Sequence, residues 1–394
     1  MKRLLTAGAA LVVAALLPVA GHAQGTLKVG VILPYSGQFA DAARQVDAGI
    51  KLYMKQYGDK ASGLKVEIIT KDVGGIAPPV AKRLSEELVI RDKVDVLAGF
   101  LLTPNAIAGC GVSAEAKKLM VIMNAATSII TDKSPYCTRT SFTLPMITTA
   151  LGNWAAKNGS KKAYTMVSDY APGHDSEKGF IDGFKAGGGE IVGSVRMAVA
   201  NPDFSAYVQR AKDLNPESIF VFIPGGAQPA AFGKALAERG IDTKKVKVMG
   251  TQELSDDTAL ASMGDTSLGI ITAGNYDHNL KNKLNPKFVA DYKKDNKGEE
   301  PNFFVVGGYD GMALIYATVA KTKGKLDGDS LIAAAKGAKW DSPRGPMSID
   351  PATRDVVETI YINQVVKTGG KLGNKEIGKV ENVHDPVHAA MMKK

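Results

Sequence analysis

The sequence predicts an α/β protein made of two doubly wound parallel-sheet lobes. Short Val/Ile-rich runs alternate with helical patterns, which is the signature of parallel strands covered by helices. The alternation runs through twice. A chain of 394 residues also has room for two domains of the usual ~100–200 residues each.

In the first pass, "LKVGVIL" leads to the helical "ARQVDAGIKLYMKQYG", and "LKVEIIT" leads to "PPVAKRLSEELVIRD", where Pro78 and Pro79 suit a helix start. "VDVLAG" then leads to "NAIAGCGVSAEAKK", followed by "LMVIM". After "SFTLPMITTALGNWAAKNG" the second pass begins with "KAYTMVS" and "SEKGFIDGFKAGG", then "EIVGSVRM" and "FSAYVQRAKDL". It closes with "SIFVFI", "AAFGKALAERG" and "KVKVMG". In open parallel sheets a ligand sits beyond the C-terminal strand ends. The loops there ("PYSGQFADA", "GFLLTPN", "MNAATS", "SDYAPGHD", "IPGGAQP", "GTQELSDD") are rich in Gly, Ser, Thr, Asn and Tyr and poor in charge.

The N-terminus reads as a secretory signal peptide over residues 1–23. Lys2 and Arg3 precede an apolar run, and Gly21 and Ala23 suit a cleavage site before Gln24, which cannot be lipidated as a cysteine could. No later run of the ~18 apolar residues that a spanning helix needs is expected. The expected location is a bacterial periplasm. There the two cysteines, Cys110 and Cys137, suit a structural disulfide, with two buried free thiols as the alternative. The formal charge of +9, two of it from Lys2 and Arg3, is scattered over amphipathic helices, so no nucleic-acid partner is expected.

Enzyme motifs are missing. His22 falls in the signal peptide, and His174 and His278 stand apart from any metal-spaced partner. The pair in "HDPVH", His384 and His388, is interrupted by Pro386 and reads as a solvated tail. No GxSxG or GxxxxGK[ST] occurs, and "GCGVSA" follows a helical stretch rather than a strand. Ser36 and Asp169 lack a base between them. The expectation is no catalysis and no cofactor.

"VGVILPYSGQFA", "VDVLAGFLLTPNAIA", "LMVIMNAATS", the "DFSA" block through "GKALAERGI", and "VMGTQELSDDTALASMGDTSLGIITA" together resemble the LIV-type periplasmic binding proteins, the solute-binding components of ABC importers. The resemblance spans nearly the whole mature chain in order. It implies the type I periplasmic binding protein fold, in which two lobes joined by a three-strand hinge close on a solute. The N-terminal lobe is expected over 24–144 plus 277–348 and the C-terminal lobe over 145–276 plus 349–394, with crossings near 145, 276 and 350. The implied partners are a small carboxylate ligand and a membrane permease, and the chain is expected to be a monomer.

The resemblance also implies ligand positions. Leu102 and Thr103 lie in the third-strand loop, and Ala125 and Thr127 in the fourth-strand loop. Both loops precede helices whose N–H groups and dipoles favour an anion. Tyr170 is placed to cover the solute from the second lobe, and Gly226 and Ala227 occupy a further contacting loop. Amino-acid binders of this family hold the ligand ammonium with acidic side chains. Here Leu144 stands at one such position and Gln252 at the other, with Glu253 one residue along. An unpaired ammonium in a closed cleft costs several kcal/mol. This departure, and the likeness of "MNAATS" and "SDYAPG" to loops of aromatic-acid binders, favours a benzoate- or cinnamate-like acid. The alternatives are a branched-chain amino acid or short amide for the same kind of importer, or a ligand-sensing module for a separate membrane receptor.

Three residues near the first loop have open roles. Arg44 is either a bidentate clamp on the ligand carboxylate or a solvated helix arginine. Phe39 either lines the pocket or packs the loop, and Asp41 reads as a helix N-cap. Tyr309 reads as helix core, with a ligand contact allowed by the glycines before it as the alternative.

Overall fold

The computed structural model describes residues 25–391. The signal peptide expected over 1–23 lies outside these residues. The first sheet is laid down by β1 (Thr26–Leu33), β2 (Lys60–Ala61), β3 (Leu64–Asp72), β4 (Val96–Gly99), β5 (Leu119–Ile122) and β6 (Cys137–Arg139). Its strand order is β2-β3-β1-β4-β5-β6. Strand β1 is parallel to both neighbours, with Val29 opposite Ile68 of β3 and Val96 of β4. Helices α1 (Ala40–Tyr57), α2 (Pro78–Ile90) and α3 (Thr103–Ala116) make the crossovers. The disulfide joins Cys110 of α3 to Cys137 of β6.

Helix α4 (Leu144–Lys157) carries the chain to the second sheet. There β7 (Lys162–Ser168), β8 (Glu190–Met197), β9 (Ser218–Phe222), β10 (Lys247–Thr251) and β11 (Ile271–Gly274) run parallel in the order β8-β7-β9-β10-β11. Helices α5 (Ala171–Ala186), α6 (Phe204–Asp213), α7 (Gln228–Glu238) and α8 (Asp257–Met263) lie between them. Asp203 of "DFSA" caps α6 by accepting from the Ser205 N–H at 3.1 Å. Each sheet therefore reverses its winding at one place, between β1 and β4 in the first and between β7 and β9 in the second. Ligand crevices open at such switch points.

The chain then returns through α9 (Asn285–Asp295), α10 (Phe303–Lys321) and α11 (Gly328–Ala335). Helix α10 packs closely on α1: a Cβ on Gly49 would meet the Val305 carbonyl at 1.9 Å, and one on Gly308 the Val46 carbonyl at 2.1 Å. Tyr309 is buried at this contact and donates to Gln56 Oε1 at 2.6 Å, so it is a core residue. Contrary to the sequence reading, α10 is long and apolar enough to cross a membrane, but most of it is buried inside this molecule. Its Asp310, fully buried, is held by Arg344.

The end of the chain departs furthest from the expected rhythm. Strands β12 (Lys339–Ser342), β13 (Gly345–Ile349), β14 (Val356–Thr368) and β15 (Lys371–Val383) add antiparallel pairs to the second sheet. Sheet membership thus changes before Lys339 rather than at 349. A short α12 (Pro386–Met391) follows. Pro386 starts this helix instead of disrupting it. His388 is therefore buried, with Nδ1 2.9 Å from Asp355 and Nε2 3.1 Å from Asp132, and the expected solvated tail is a docked helix. His384 lies outside this cluster, bonded to Asp350.

Arg344 ties the first crossing to α10 and β14. Its Nε donates to Asp310 Oδ2 at 2.8 Å, Nη1 donates to the Ser141 carbonyl at 2.8 Å and approaches Glu358 at 3.0 Å, and Nη2 donates to the Thr140 carbonyl. Asn275, on the second crossing, also reaches the Ser141 carbonyl, at 3.0 Å. One guanidinium serves two buried carboxylates. Burial accordingly holds the Asp310 carboxyl above its ordinary range and pushes Glu358 up to about 8.

Candidate functional site

The cleft between the sheets is built at the two switch points. On the first-lobe side, Gly99 (φ 97°) and Phe100 (φ 60°) turn the chain off β4. A Cβ on Gly99 would meet the Ile32 carbonyl at 2.7 Å, so the close approach requires glycine. The bond from the Phe100 N–H to the Ile32 carbonyl, 2.8 Å, holds the turn, which delivers Leu101, Leu102 and Thr103 to the cleft. Phe39 from the first loop, Phe142 and Leu144 at the first crossing, and Phe304 at the start of α10 complete this wall. The opposite wall comes from Tyr170 and Pro172 at the start of α5 and from Phe222, Pro224 and Glu253. Tyr170 stacks on Phe222, with ring centroids 6.3 Å apart.

Polar groups are few and grouped. Helix α3 has Leu102 at its N-cap and α5 has Tyr170, and neither cap makes a side-chain bond. This leaves the N–H groups of Thr103 and Asn105 in α3 and of Ala171 and Gly173 in α5 for another acceptor, because Pro104 and Pro172 have none and the Ala106 and His174 N–H groups donate to the cap carbonyls. The Thr103 and Thr127 hydroxyls lie 3.0 Å apart. If one donates to the other, that acceptor keeps its own O–H free. Glu253 is buried, and its Oε2 has no hydrogen-bond partner in the protein. Burial pushes its carboxyl up to about 6. Burial, with the nearby Glu253 charge, also holds the Tyr170 phenol well above its ordinary range.

A second chamber adjoins the first and shares Phe39, Pro224, Glu253 and Phe304 with it. Its other lining is more polar, including Gln38, Asp41, Gln45, Asp256 and Thr258. Asp256 caps α8 through Ala259 N–H at 2.8 Å, and burial pushes its carboxyl up to about 7. No Lys, Arg or His lines either chamber.

The expected ligand residues separate into groups. Leu102, Thr103, Tyr170 and Glu253 meet in the aromatic cleft, while Gly226 and Ala227 line the polar chamber instead. Thr127 stands behind Thr103, bonded to it. Ala125 is committed to structure, because its N–H donates to the Phe100 carbonyl at 3.0 Å and its carbonyl accepts from Arg139 at 3.2 Å. Gln252 turns toward the hinge, where Oε1 accepts from the Asn275 N–H at 3.0 Å. Arg44 is half-exposed and paired with Glu299 at 3.1 Å, outside both chambers. A clamp from Arg44 is thereby replaced by a surface ion pair that links α1 to the loop before α10. Asp41 is not an N-cap: Phe39 takes that position, and Asp41 lies in the first turn of α1, 3.8 Å from Arg44. The residues missed were the phenylalanines at 142, 222 and 304. Only Phe222 had a signal, its place at the end of a parallel strand.

Among the described residues, one cluster has metal-ligand types: donor atoms of Asp355, Asp385 and His388 lie within 4.8 Å of one another. Arg139 donates to Asp355 at 2.9 Å in the same cluster, so a cation is already supplied there.

The sequence matches the periplasmic binding protein family over residues 26–371. The chain belongs to that family. A Leu/Ile/Val-binding protein homolog 6 from Brucella melitensis biotype 1 is 40% identical over 362 residues, covering 91% of this chain and 93% of the relative. The solute-binding protein of an ABC transporter from Rhodopseudomonas palustris BisB5, solved with 3,4-dihydroxybenzoic acid, is 50% identical with a TM-score of 0.88, covering 92% of this chain and 99% of that one. A second solute-binding protein, from Rhodopseudomonas palustris HaA2 with p-hydroxybenzoic acid, is 39% identical with a TM-score of 0.89, covering 93% and 100%. The α/β fold of two parallel-dominated sheets is that of these periplasmic binding proteins.

Proposed function

We propose that this periplasmic binding protein captures an aromatic carboxylic acid of the benzoate type and delivers it to an ABC importer's permease. The observation that carries this reading is the aromatic cleft itself: the rings of Phe39, Phe142, Phe222, Phe304 and Tyr170 surround one space with a single carboxylate in its wall. The ligand carboxylate sits at the N-terminus of α3, against the free N–H groups and the Thr103 hydroxyl, because these are neutral donors placed away from Glu253. The 50% identical relative holds a dihydroxybenzoic acid, which supports the same class here. Export through a cleaved signal peptide over 1–23 and a monomeric state belong to this reading.

A second reading comes from Glu253, whose free oxygen is also a partner for an ammonium, so a branched-chain amino acid is the competing ligand. A thermal-shift screen of residues 24–394 separates them. A ligand at 100 times its dissociation constant adds about 2.7 kcal/mol. Shifts with benzoates and none with leucine are expected, and leucine or isoleucine shifting the melt while benzoates do not would overturn the aromatic reading. Recovery of the bound acid unchanged after incubation tests that no turnover occurs.

A further inference from the structure

We propose that Glu253 makes the cleft select aromatic acids that carry a hydrogen-bond donor at the ring position opposite the carboxylate, such as a phenolic hydroxyl. The inference rests on the aromatic-acid reading and goes further by assigning the ring substituent and the residue that reads it.

Three features point to this. Glu253 Oε2 is buried and unpartnered, as are Asn124 Oδ1 in the same wall and the Thr251 hydroxyl beside Glu253, although buried polar atoms as a rule find a partner. No basic side chain lines either chamber, so the protein supplies no cation that could take up this oxygen on closing. A ligand carboxylate placed beside Glu253 would set two like charges together in a buried space, which turns the acid the other way, toward Thr103 and the first turn of α3. The far end of the ring is then the end that meets Glu253.

A neutral O–H or N–H at that end satisfies the orphaned oxygen. A bare C–H or a methyl ether leaves it buried and unpaired. Sites built to bond a substrate hydroxyl reject the analogue that lacks it, because their own polar group is then stranded. The chamber beyond Glu253, lined by Gln45, Asp256 and Thr258, gives a substituted ring polar surroundings in place of a closed apolar wall.

The test is isothermal titration of the mature protein with benzoate, 4-hydroxybenzoate and 4-methoxybenzoate, repeated with Glu253→Met. In the wild type, 4-hydroxybenzoate is expected to bind roughly 10–100-fold more tightly than the other two acids. The methoxy compound separates loss of the donor from loss of size. In Glu253→Met the preference should shrink to within about threefold. Equal affinity for benzoate and 4-hydroxybenzoate in the wild type would overturn the inference whether or not the variant folds, and so would a preference that survives in Glu253→Met. If none of the three acids binds, the aromatic-acid reading itself fails, an outcome distinct from binding without preference.

Discussion

Phe222 and Arg44 show how side-chain position separates two residues that both lie near ligand loops. Phe222 ends β9 with its ring under Tyr170, in the wall of the cleft. Removing the ring deletes both buried apolar area and a stacking partner, so Phe222→Ala should weaken binding of the aromatic acid by about 10–100-fold. Arg44 has a comparable sequence position, one helical turn after a loop that reaches the cleft, but its guanidinium is spent on Glu299 at the surface. Titration of Arg44→Ala should give an affinity within about twofold of wild type, since exposed pairs contribute little. A loss as large as that at Phe222 would put the carboxylate clamp back. The sequence could name both residues as neighbours of a loop. It could not say which way either side chain turned, because that is decided by partners distant in sequence, Tyr170 for Phe222 and Glu299 for Arg44.

At the scale of elements, the C-terminal helix is the clearest case of a segment stabilised by tertiary contacts alone. Helix α12 has six residues, too few to be stable by itself. His388 anchors it, and the hydrogen bond to Asp355 pushes its pKa up to about 9. Asp132, Asp385 and Arg139 face the same cluster, with Arg139 already paired to Asp355. Because the folded value lies above the ordinary 6.5, this stabilisation is fully present below pH 6.5 and is lost as pH rises through about 9. Hydrogen exchange in residues 386–391 should therefore quicken between pH 6.5 and 9.5 beyond the intrinsic base-catalysed trend. The extra increase should vanish in His388→Ala, and a variant that behaves like wild type would exclude His388 as the anchor. Helix α2 was readable from its Pro start signal and the helical patterns gave α1 and α6. The last turn of chain was not, since its only local signals were a proline and two separated histidines.

For the whole molecule, Arg344 and Asn275 cross-link the hinge. Arg344 reaches Asp310 on α10, the carbonyls of the first crossing, and Glu358 on β14, so it belongs to both lobes at once. Replacing it with methionine leaves two carboxylates buried without their cation, a change of about 3–5 kcal/mol in the usual case. Chemical denaturation should show that loss. Arg344→Lys should not restore it, because an ammonium cannot span acceptors on three segments. A lysine variant as stable as wild type would show that charge alone suffices. The bond from the Ser128 N–H to Asp175 Oδ2, 3.2 Å, likewise joins the lobes, on the α5 side of the cleft.

The alternation of strand and helix patterns determined the fold class by itself, since parallel strands need covering helices and those patterns are local. The small polar loops at strand ends likewise located the cleft, and four of the expected ligand residues, Leu102, Thr103, Tyr170 and Glu253, do meet there. What only the tertiary structure decided was direction and company. It turned Gln252 to the hinge and Glu253 to the cleft, though they are adjacent, because Gln252 is held by the Asn275 N–H. It also gathered three phenylalanines from the first crossing, β9 and α10 into one wall. Those residues are brought together by the return of the chain across the hinge, a long-range event that leaves no periodicity in the sequence around any one of them.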